Sequence, residues 1–478
     1  MNQRVKSNPK IPLVVDLDGT LLKVDSLHEA FVDLSTKKPL HALRALLALR
    51  QGRAAFKASV ADHVTPQVGT LPVDEAVLEA VKQARGKGRK VYLATAADRR
   101  FAEAIAKSIG EFDGVFASEN GVNLKGQAKA DRLVAAFGKQ GFDYIGNASA
   151  DMPVWRVAHT ALVSGAPPHV VKRLNAEMPA AVTLGTRSFS LRPYLRALRP
   201  HQWIKNALVA LPALAAHDFS AAGLLTVLAA MVSFSLGASS IYVVNDMLDL
   251  PHDRAHAQKR HRPLAAGTVP LTHAVVLFAL TAGLSLVLAL MLPLAFLGVL
   301  VVYFALSLSY SVYLKRKLMI DVVALAALYG IRVLAGGAAS GVPLSHWLVG
   351  FCFFIFLSLA LVKRTTEMLT LKEDNADKVK GRGYRRVDIQ TITALTAASG
   401  FVAVLVLALY INSPEVTTLY RHPELLWAVC VILIYWLGRV CFLTGRGEMH
   451  QDPVVFAATD RISLLAGVLV AATFVIAL

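Results

Sequence analysis

The chain has 478 residues, 55% of them hydrophobic, a formal net charge of +17 and a mean hydropathy of +0.50. Two or three domains are expected at that length, and the apolar content excludes a wholly water-soluble protein. The basic residues lack the aromatic interleaving of a nucleic-acid surface, and Cys352, Cys430 and Cys441 lack metal or redox spacing, so no nucleic-acid partner and no cysteine metal site is expected.

Residues 1–200 carry charges throughout, whereas from about residue 205 membrane-length apolar stretches follow one another. Met1 to Lys10 is polar and basic with no apolar run behind it, so no signal peptide is expected and the N-terminal domain should stay in the cytosol. Ile11 to Val15 reads as a short buried strand ending in Asp16-Leu17-Asp18-Gly19-Thr20. Two carboxylates two positions apart suit phosphoryl transfer: the first attacks phosphorus, the second donates and recovers a proton. This resembles motif I of the haloacid dehalogenase superfamily. The resemblance implies an α/β Rossmannoid phosphatase domain over 1–190 with a helical cap over about 22–88. It also implies a phosphate-binding Thr95 after the strand Val91–Ala94, and Lys129 (Lys125 as runner-up) balancing the anionic site. Asp16, Asp18, Asn147 and Asp151 would surround Mg²⁺, with Asn147 departing from the family's usual aspartate. In the cap, Lys37, Lys38, Arg44, Arg50, Arg53 and Lys57 are candidates to meet an anionic substrate, a solvated helix face being the alternative.

Apolar segments near 206–216, 220–243, 271–291, 293–312, 318–339, 346–362, 390–412, 424–443 and 459–478 suggest about nine spans of an all-α membrane domain over 195–478. Loops 244–270 and 363–389 fall on one side, and the second carries Lys363, Arg364, Lys372, Lys378, Lys380, Arg382, Arg385 and Arg386. The positive-inside rule makes that side cytoplasmic, in the inner membrane. Asp246, Asp249 and Asp253 lie at offsets of three, four and seven, on one helical face beside a membrane segment. A hard divalent cation, Mg²⁺, would relieve their repulsion and join them to substrate phosphates, while Arg254, Lys259, Arg260 and Arg262 follow as diphosphate contacts. An acidic rim on a solvated loop is the plainer alternative. Pro251 should kink or end the helix near Leu250 and makes Asp253 the weakest ligand candidate.

The run Asn245-Asp246-x-x-Asp249-x-x-x-Asp253 with basic cytoplasmic loops resembles the UbiA superfamily of intramembrane prenyltransferases. Where that family has a second aspartate-rich motif, this chain has Tyr310 to Asp321 with a lone aspartate. Arg199 to Asn206, Arg332 in Ile331 to Gly337, and Lys363-Arg364-Thr-Thr-Glu367 resemble the decaprenyl-phosphate phosphoribosyltransferase branch. That resemblance implies transfer of 5-phosphoribose from phosphoribosyl diphosphate (PRPP) to a polyprenyl phosphate in the membrane. Asp246 and Asp249 would be catalytic through Mg²⁺, with Asp253 as a further ligand. Gln202, Lys205, Asn206, Asn245, Lys259, Arg260, Arg262, Tyr310, Lys315, Asp321, Arg332 and Lys363 would bind substrate. Lys205 and Lys363 also suit membrane-edge anchors, and Gly336-Gly337 suits close helix packing. Two alternatives stay open: an aromatic prenyltransferase using a polyprenyl diphosphate as prenyl donor, and a transferase with a non-catalytic N-terminal docking module. Lipid chain length and oligomeric state are not specified by these residues.

Overall fold

The computed structural model describes residues 11–64, 68–119, 121–185, 190–217, 219–370, 382–414, 416, 420–449 and 452–478. The expected signals at Met1 to Lys10 and at Lys372, Lys378 and Lys380 lie outside the described residues. The chain forms two compact units: one holds the chain up to Leu198 together with Tyr242–Leu277, the other Arg199–Ile241 with Phe278–Leu478.

In chain order the first part contains β1 (Leu13–Val15), α1 (Ser26–Lys37), α2 (Pro39–Ala48), α3 (Arg53–Ala61), α4 (Glu75–Gly86), β2 (Val91–Asp98), α5 (Arg99–Ile109), β3 (Gly114–Ser118), α6 (Gln127–Phe137), β4 (Asp143–Gly146), α7 (Met152–Val157), β5 (Ala161–Ser164), α8 (Pro168–Glu177), β6 (Val182–Gly185) and α9 (Arg192–Leu198). The strands make one parallel sheet in the order β3-β2-β1-β4-β5-β6, with Val14 of β1 level with Tyr92 on one side and Tyr144 on the other. Parallel strands are buried on both faces, and β1 has no polar residue to spare. Leu13 and Val15 join Leu93, Val77, Val81 and Ile105 beneath one layer of helices. Val14 joins Tyr144, Leu133, Trp155 and Leu174 beneath the other. Asp25 starts α1 by accepting from the N–H groups of Leu27 and His28 at 3.0 and 3.1 Å. The helices expected as a cap over 22–88 divide. α1–α3 form their own small core around Leu34, Ala45 and Val60. α4 instead places Val77, Val81 and Ala84 on the sheet, because its apolar stripe faces β2. Strand β2 also runs four residues beyond the expected Ala94, with its register to β3 shifting between Ala94 and Asp98.

The later elements are α10 (Leu211–Ala215), α11 (Ala221–Leu248), α12 (Leu250–Ala255), α13 (Leu271–Leu290), α14 (Leu294–Val312), α15 (Ile320–Ser340), α16 (His346–Thr370), α17 (Ile389–Ile411) and the helices Trp427–Gly445, Pro453–Thr459 and Arg461–Ala477. Seven helices among the described residues are long and apolar enough to cross a membrane, and the last two, bent by 77°, make an eighth if they form one span. The ninth expected span, near 206–216, is a 3-10 stretch over Pro200–Ala210 followed by the five residues of α10. The apolar run, near 206–216, is too short to cross a bilayer. Small residues let the backbones approach. A Cβ on Gly336 of α15 would lie 2.0 Å from the carbonyl oxygen of Val209, so this glycine is required by close packing. Ser233 and Ser285 exchange hydroxyl-to-carbonyl hydrogen bonds of 2.8 and 2.7 Å, satisfying polar groups where lipid offers none.

Candidate active sites

The first site lies at the carboxyl ends of β1, β2 and β4, where the strand order reverses direction around β1. Asp16 follows β1 directly and accepts from the Lys129 ammonium at 2.7 Å and from the Thr20 hydroxyl at 3.0 Å. Burial pushes its carboxyl up to about 6 against the opposing pull of Lys129. Burial, with Asp25 adding to it, pushes Asp18 up to about 7, and the Ser26 N–H donates to it at 2.7 Å. A carboxyl that holds its proton near neutrality can deliver one to a leaving group. Burial works against the charge of Lys129, but Asp16 and Asp151 more than offset it and hold its pKa above the ordinary lysine value. Lys125, the runner-up, is exposed just ahead of α6. Thr95 is fully buried, and its hydroxyl oxygen accepts from the Ala97 N–H at 3.0 Å.

Asn147 lies against the turn after Asp18. Gly19 has φ +77°, and a Cβ there would meet the Asn147 amide at 2.2 Å, so this glycine is needed for both conformation and space. Asp151, expected as a metal ligand, has another task. One oxygen accepts from the N–H groups of Asn147 and Ala148 at 3.1 and 3.0 Å, and the other accepts from the Tyr144 hydroxyl at 2.8 Å. These bonds close the loop after β4, so Asp151 steadies the site. Tyr144 also accepts from Lys129 at 2.9 Å; its inward position on β4 was the only sequence signal for this role. No group of three His, Cys, Asp or Glu side chains set for a metal occurs among the described residues. The donors that remain, the carboxylates of Asp16 and Asp18 with the amide oxygen of Asn147, are all hard oxygens and suit Mg²⁺. Of the cap cations, Lys57 reaches inward, donating to the carbonyl of Ala96 at 2.6 Å and to the side-chain oxygen of Asn123 at 2.9 Å. Lys37 instead pairs with Asp33 on the surface, and the Arg53 side chain lies outside the described residues.

The second site begins where α11 gives way to α12. The Asp249 N–H donates to the Asn245 carbonyl and the Asp253 N–H to the Asp249 carbonyl, each at 2.9 Å, so helical spacing survives the break. Pro251 falls in the first turn of α12, where its missing N–H costs nothing. Asp253, expected as the weakest candidate, therefore converges with Asp246. Both are buried, and Arg262 donates one nitrogen to Asp253 at 2.6 Å and to Asp246 at 3.2 Å. Beside them the side-chain oxygen of Asn245 is buried with no hydrogen-bond donor among the described residues. Two clustered carboxylates and an unsatisfied amide oxygen are a fitting donor set for a hard cation. Asp249 and Lys259 are half-buried and Arg260 is exposed. Arg254, expected to grip diphosphate, is instead held by Glu29 of α1 at 2.9 and 2.7 Å.

In the other unit, buried cations stand out. Lys205 pairs with Asp452 and sits 5.6 Å from the Tyr329 ring centroid. Arg332 donates to the side chain of Asn206 at 2.9 Å and to the Leu328 carbonyl, with Phe234, Tyr303 and Tyr329 centred 5.4, 5.5 and 5.5 Å away. No carboxylate pairs with Arg332 among the described residues, although it is only 5% exposed. Gln202 and Lys363 are half-buried. Asp321 departs from expectation: it is fully buried, accepting from Arg364 at 2.6 Å and from the Tyr384 hydroxyl, and so is an anchor within the fold. Arg364 also pairs with Glu367 and donates to the Tyr310 hydroxyl at 2.8 Å, which accepts from Arg382 at 2.9 Å. Arg382 lies 3.4 Å from the main-chain oxygen of Lys315, whose side chain is half-buried. Sequence spacing did not join Asp452 to Lys205, Arg364 to Asp321 or Arg382 to Tyr310, because these partners lie 247, 43 and 72 residues apart.

Residues 206–465 match the UbiA prenyltransferase family, and residues 13–156 match the haloacid dehalogenase-like hydrolases. The Sinorhizobium fredii protein y4nM is 36% identical over 474 residues, covering 98% of this chain and 91% of that one. The decaprenyl-phosphate phosphoribosyltransferase of Mycolicibacterium smegmatis is 40% identical over 192 residues, which span 39% of this chain and 60% of that protein. A solved UbiA homolog from Archaeoglobus fulgidus bound to GPP and Mg²⁺ aligns at a TM-score of 0.46 and 15% identity, over 59% of this chain and 98% of its own. With a family match spanning more than half of its length, the chain belongs to the UbiA prenyltransferase family, as a multi-pass membrane protein carrying an N-terminal haloacid dehalogenase-like domain.

Proposed function

We propose that the chain transfers 5-phosphoribose from PRPP to a polyprenyl phosphate, releasing diphosphate. The N-terminal domain then removes the 5-phosphate from the lipid product. The observation that carries this reading is the distribution of charge. One acidic motif, Asp246 and Asp253, is paired with Arg262, while the lone aspartate of the second region is consumed inside the fold by Arg364 and Tyr384. Two metal clusters on a prenyl diphosphate are therefore poorly supported. A buried guanidinium with no carboxylate partner among the described residues, Arg332, favours substrates rich in phosphate. The likeness to a decaprenyl-phosphate phosphoribosyltransferase points the same way.

Asp246, Asp249 and Asp253, with Asn245, would hold Mg²⁺, which neutralises the departing diphosphate when bound. Arg262, Lys259 and Arg260 add donors to the same oxygens. Lys205, Asn206, Gln202, Arg332, Lys363, Tyr310 and Lys315 are the candidates, on the sequence resemblance, to bind the substrate's other phosphates. An oxygen of the lipid phosphate attacks C1 of the ribose, the C1–O bond to diphosphate breaks, and its electron pair leaves with diphosphate. The attacking oxygen is already anionic, so no strong base is required. In the N-terminal domain Asp16 attacks the phosphorus, Asp18 protonates the leaving alkoxide and later takes a proton from water, and Thr95 and Lys129 hold the anionic oxygens. The side chains of Asp16 and Asn147 would hold that domain's Mg²⁺, leaving the Asp18 carboxyl to carry the proton.

The test is mass spectrometry of the lipid formed by the purified full chain with PRPP, polyprenyl phosphate and Mg²⁺. The native chain should yield a ribosyl lipid with stoichiometric diphosphate, and Asp16→Asn should stop one phosphate heavier. Prenylation of an aromatic acid in place of diphosphate release from PRPP would refute the transferase reading.

A further inference from the structure

Arg254 follows Asp253 directly, yet its guanidinium turns to the N-terminal domain. It makes a two-pronged ion pair with Glu29, at 2.9 and 2.7 Å, with the two side chains 5% and 12% exposed. Its third nitrogen donates to the Ala265 carbonyl at 3.0 Å, tying both ends of the loop to one side chain. The same loop touches the domain again at Gly267. This residue has φ +69°, and a Cβ there would come within 2.9 Å of Val24, 3.1 Å of Lys23 and 3.3 Å of Pro72. A cavity of about 50 Å³ lies beside the ion pair, bordered by Ser26, Glu29, Pro251 and Arg254. The ion pair thus adds a directional contact to the close packing at Gly267.

Helix α1 carries the connection onward. Ser26 and Glu29 are three residues apart and share a face of the helix. The Ser26 N–H donates to Asp18 at 2.7 Å, while Glu29 grips Arg254. A single helical turn thus spans from the proposed proton donor of the phosphatase site to the residue beside Asp253.

We propose that Glu29 and Arg254 are positioning residues that couple the two reaction centres, fixing α12 and its Asp253 on one side and α1 and its hold on Asp18 on the other. Neither side chain touches substrate. The effect on transfer rests on the reading of Asp246, Asp249 and Asp253 as the transferase motif; the mechanical link does not.

The full chain in detergent, as native, Glu29→Gln and the exchanged pair Glu29→Arg with Arg254→Glu, is followed by amide hydrogen exchange without substrate. The Mg²⁺ concentration giving half-maximal diphosphate release is then measured separately from the maximal rate. Glu29→Gln should speed exchange in both 250–269 and 18–37, and raise the Mg²⁺ requirement by about tenfold, the scale on which an outer-shell partner acts. The maximal rate should change little, and the exchanged pair should recover most of both losses. Unchanged exchange in Glu29→Gln, or faster exchange confined to 250–269, overturns the coupling. Absence of diphosphate release from the native chain overturns the transferase reading, and the exchange result still decides the link.

Discussion

Replacing Asp321 with Asn separates an anchor from a metal ligand. The carboxylate is fully buried and accepts from Arg364 at 2.6 Å and from Tyr384, while Arg364 is itself 1% exposed. Removing one partner of such a buried pair costs ~3–5 kcal/mol, because the remaining charge is left without its counter-ion. Glu367 still accompanies Arg364, and an asparagine oxygen still accepts from Tyr384, so the lower end, about 3 kcal/mol, is expected. For a unit of roughly 240 residues each kcal/mol moves the melting temperature by about 2–4 °C, giving a drop of roughly 6–12 °C. Size-exclusion profiles of heated, detergent-solubilised protein measure this. The Mg²⁺ requirement of the surviving enzyme should match the native one. A variant that melts within about 2 °C of native yet needs far more Mg²⁺ would refute the anchoring argument.

Gly336→Ala should lower the melting temperature in the same assay by at least the cost of an overpacked core, ~1–3 kcal/mol, because its Cβ would overlap Val209. Asn147→Asp should bind Mg²⁺ about tenfold more tightly and raise phosphatase turnover on p-nitrophenyl phosphate; unchanged metal titration would count against Asn147 as a donor. Lys129→Met should lower that turnover by at least about 100-fold, since Asp16 loses its cation at 2.7 Å. Without metal, the stability contributed by protonated Asp16 and Asp18 is complete below their ordinary carboxyl values and is lost as pH rises through about 6 and 7. The melting temperature of metal-free protein should therefore fall from pH 5 to 8. Added Mg²⁺ should raise it more at pH 8 than at pH 5, and an equal rise at both would contradict the burial of these carboxyls.

The N-terminal fold was legible because its key signals are local. Asp16 and Asp18 follow a strand three residues long, and a strand that short with apolar neighbours has few places other than the centre of a parallel sheet. Lys129 and Lys125 were separable only once α6 existed, since its first turn carries Lys129 inward and leaves Lys125 outside. What composition and spacing did not carry was the choice of partner. Arg254 lies among other cations beside three aspartates, yet bonds a glutamate 225 residues away; Lys205 finds Asp452 across 247 residues. Asp321 looked like a surviving ligand because its buried companions, Arg364 and Tyr384, lie on elements 43 and 63 residues further on. The ninth expected span had a nearer cause: the apolar run near 206–216 is shorter than a bilayer needs, whatever its average hydropathy.

Tyr242–Leu277 folds with the chain up to Leu198, so the first unit is built from two separate stretches of the sequence. A gene divided after Leu198 would give a carboxyl-terminal product whose acidic loop has lost Glu29, Lys23, Val24 and Pro72 as neighbours. Recombination that exchanged the amino-terminal half for a foreign hydrolase would face the same mismatch.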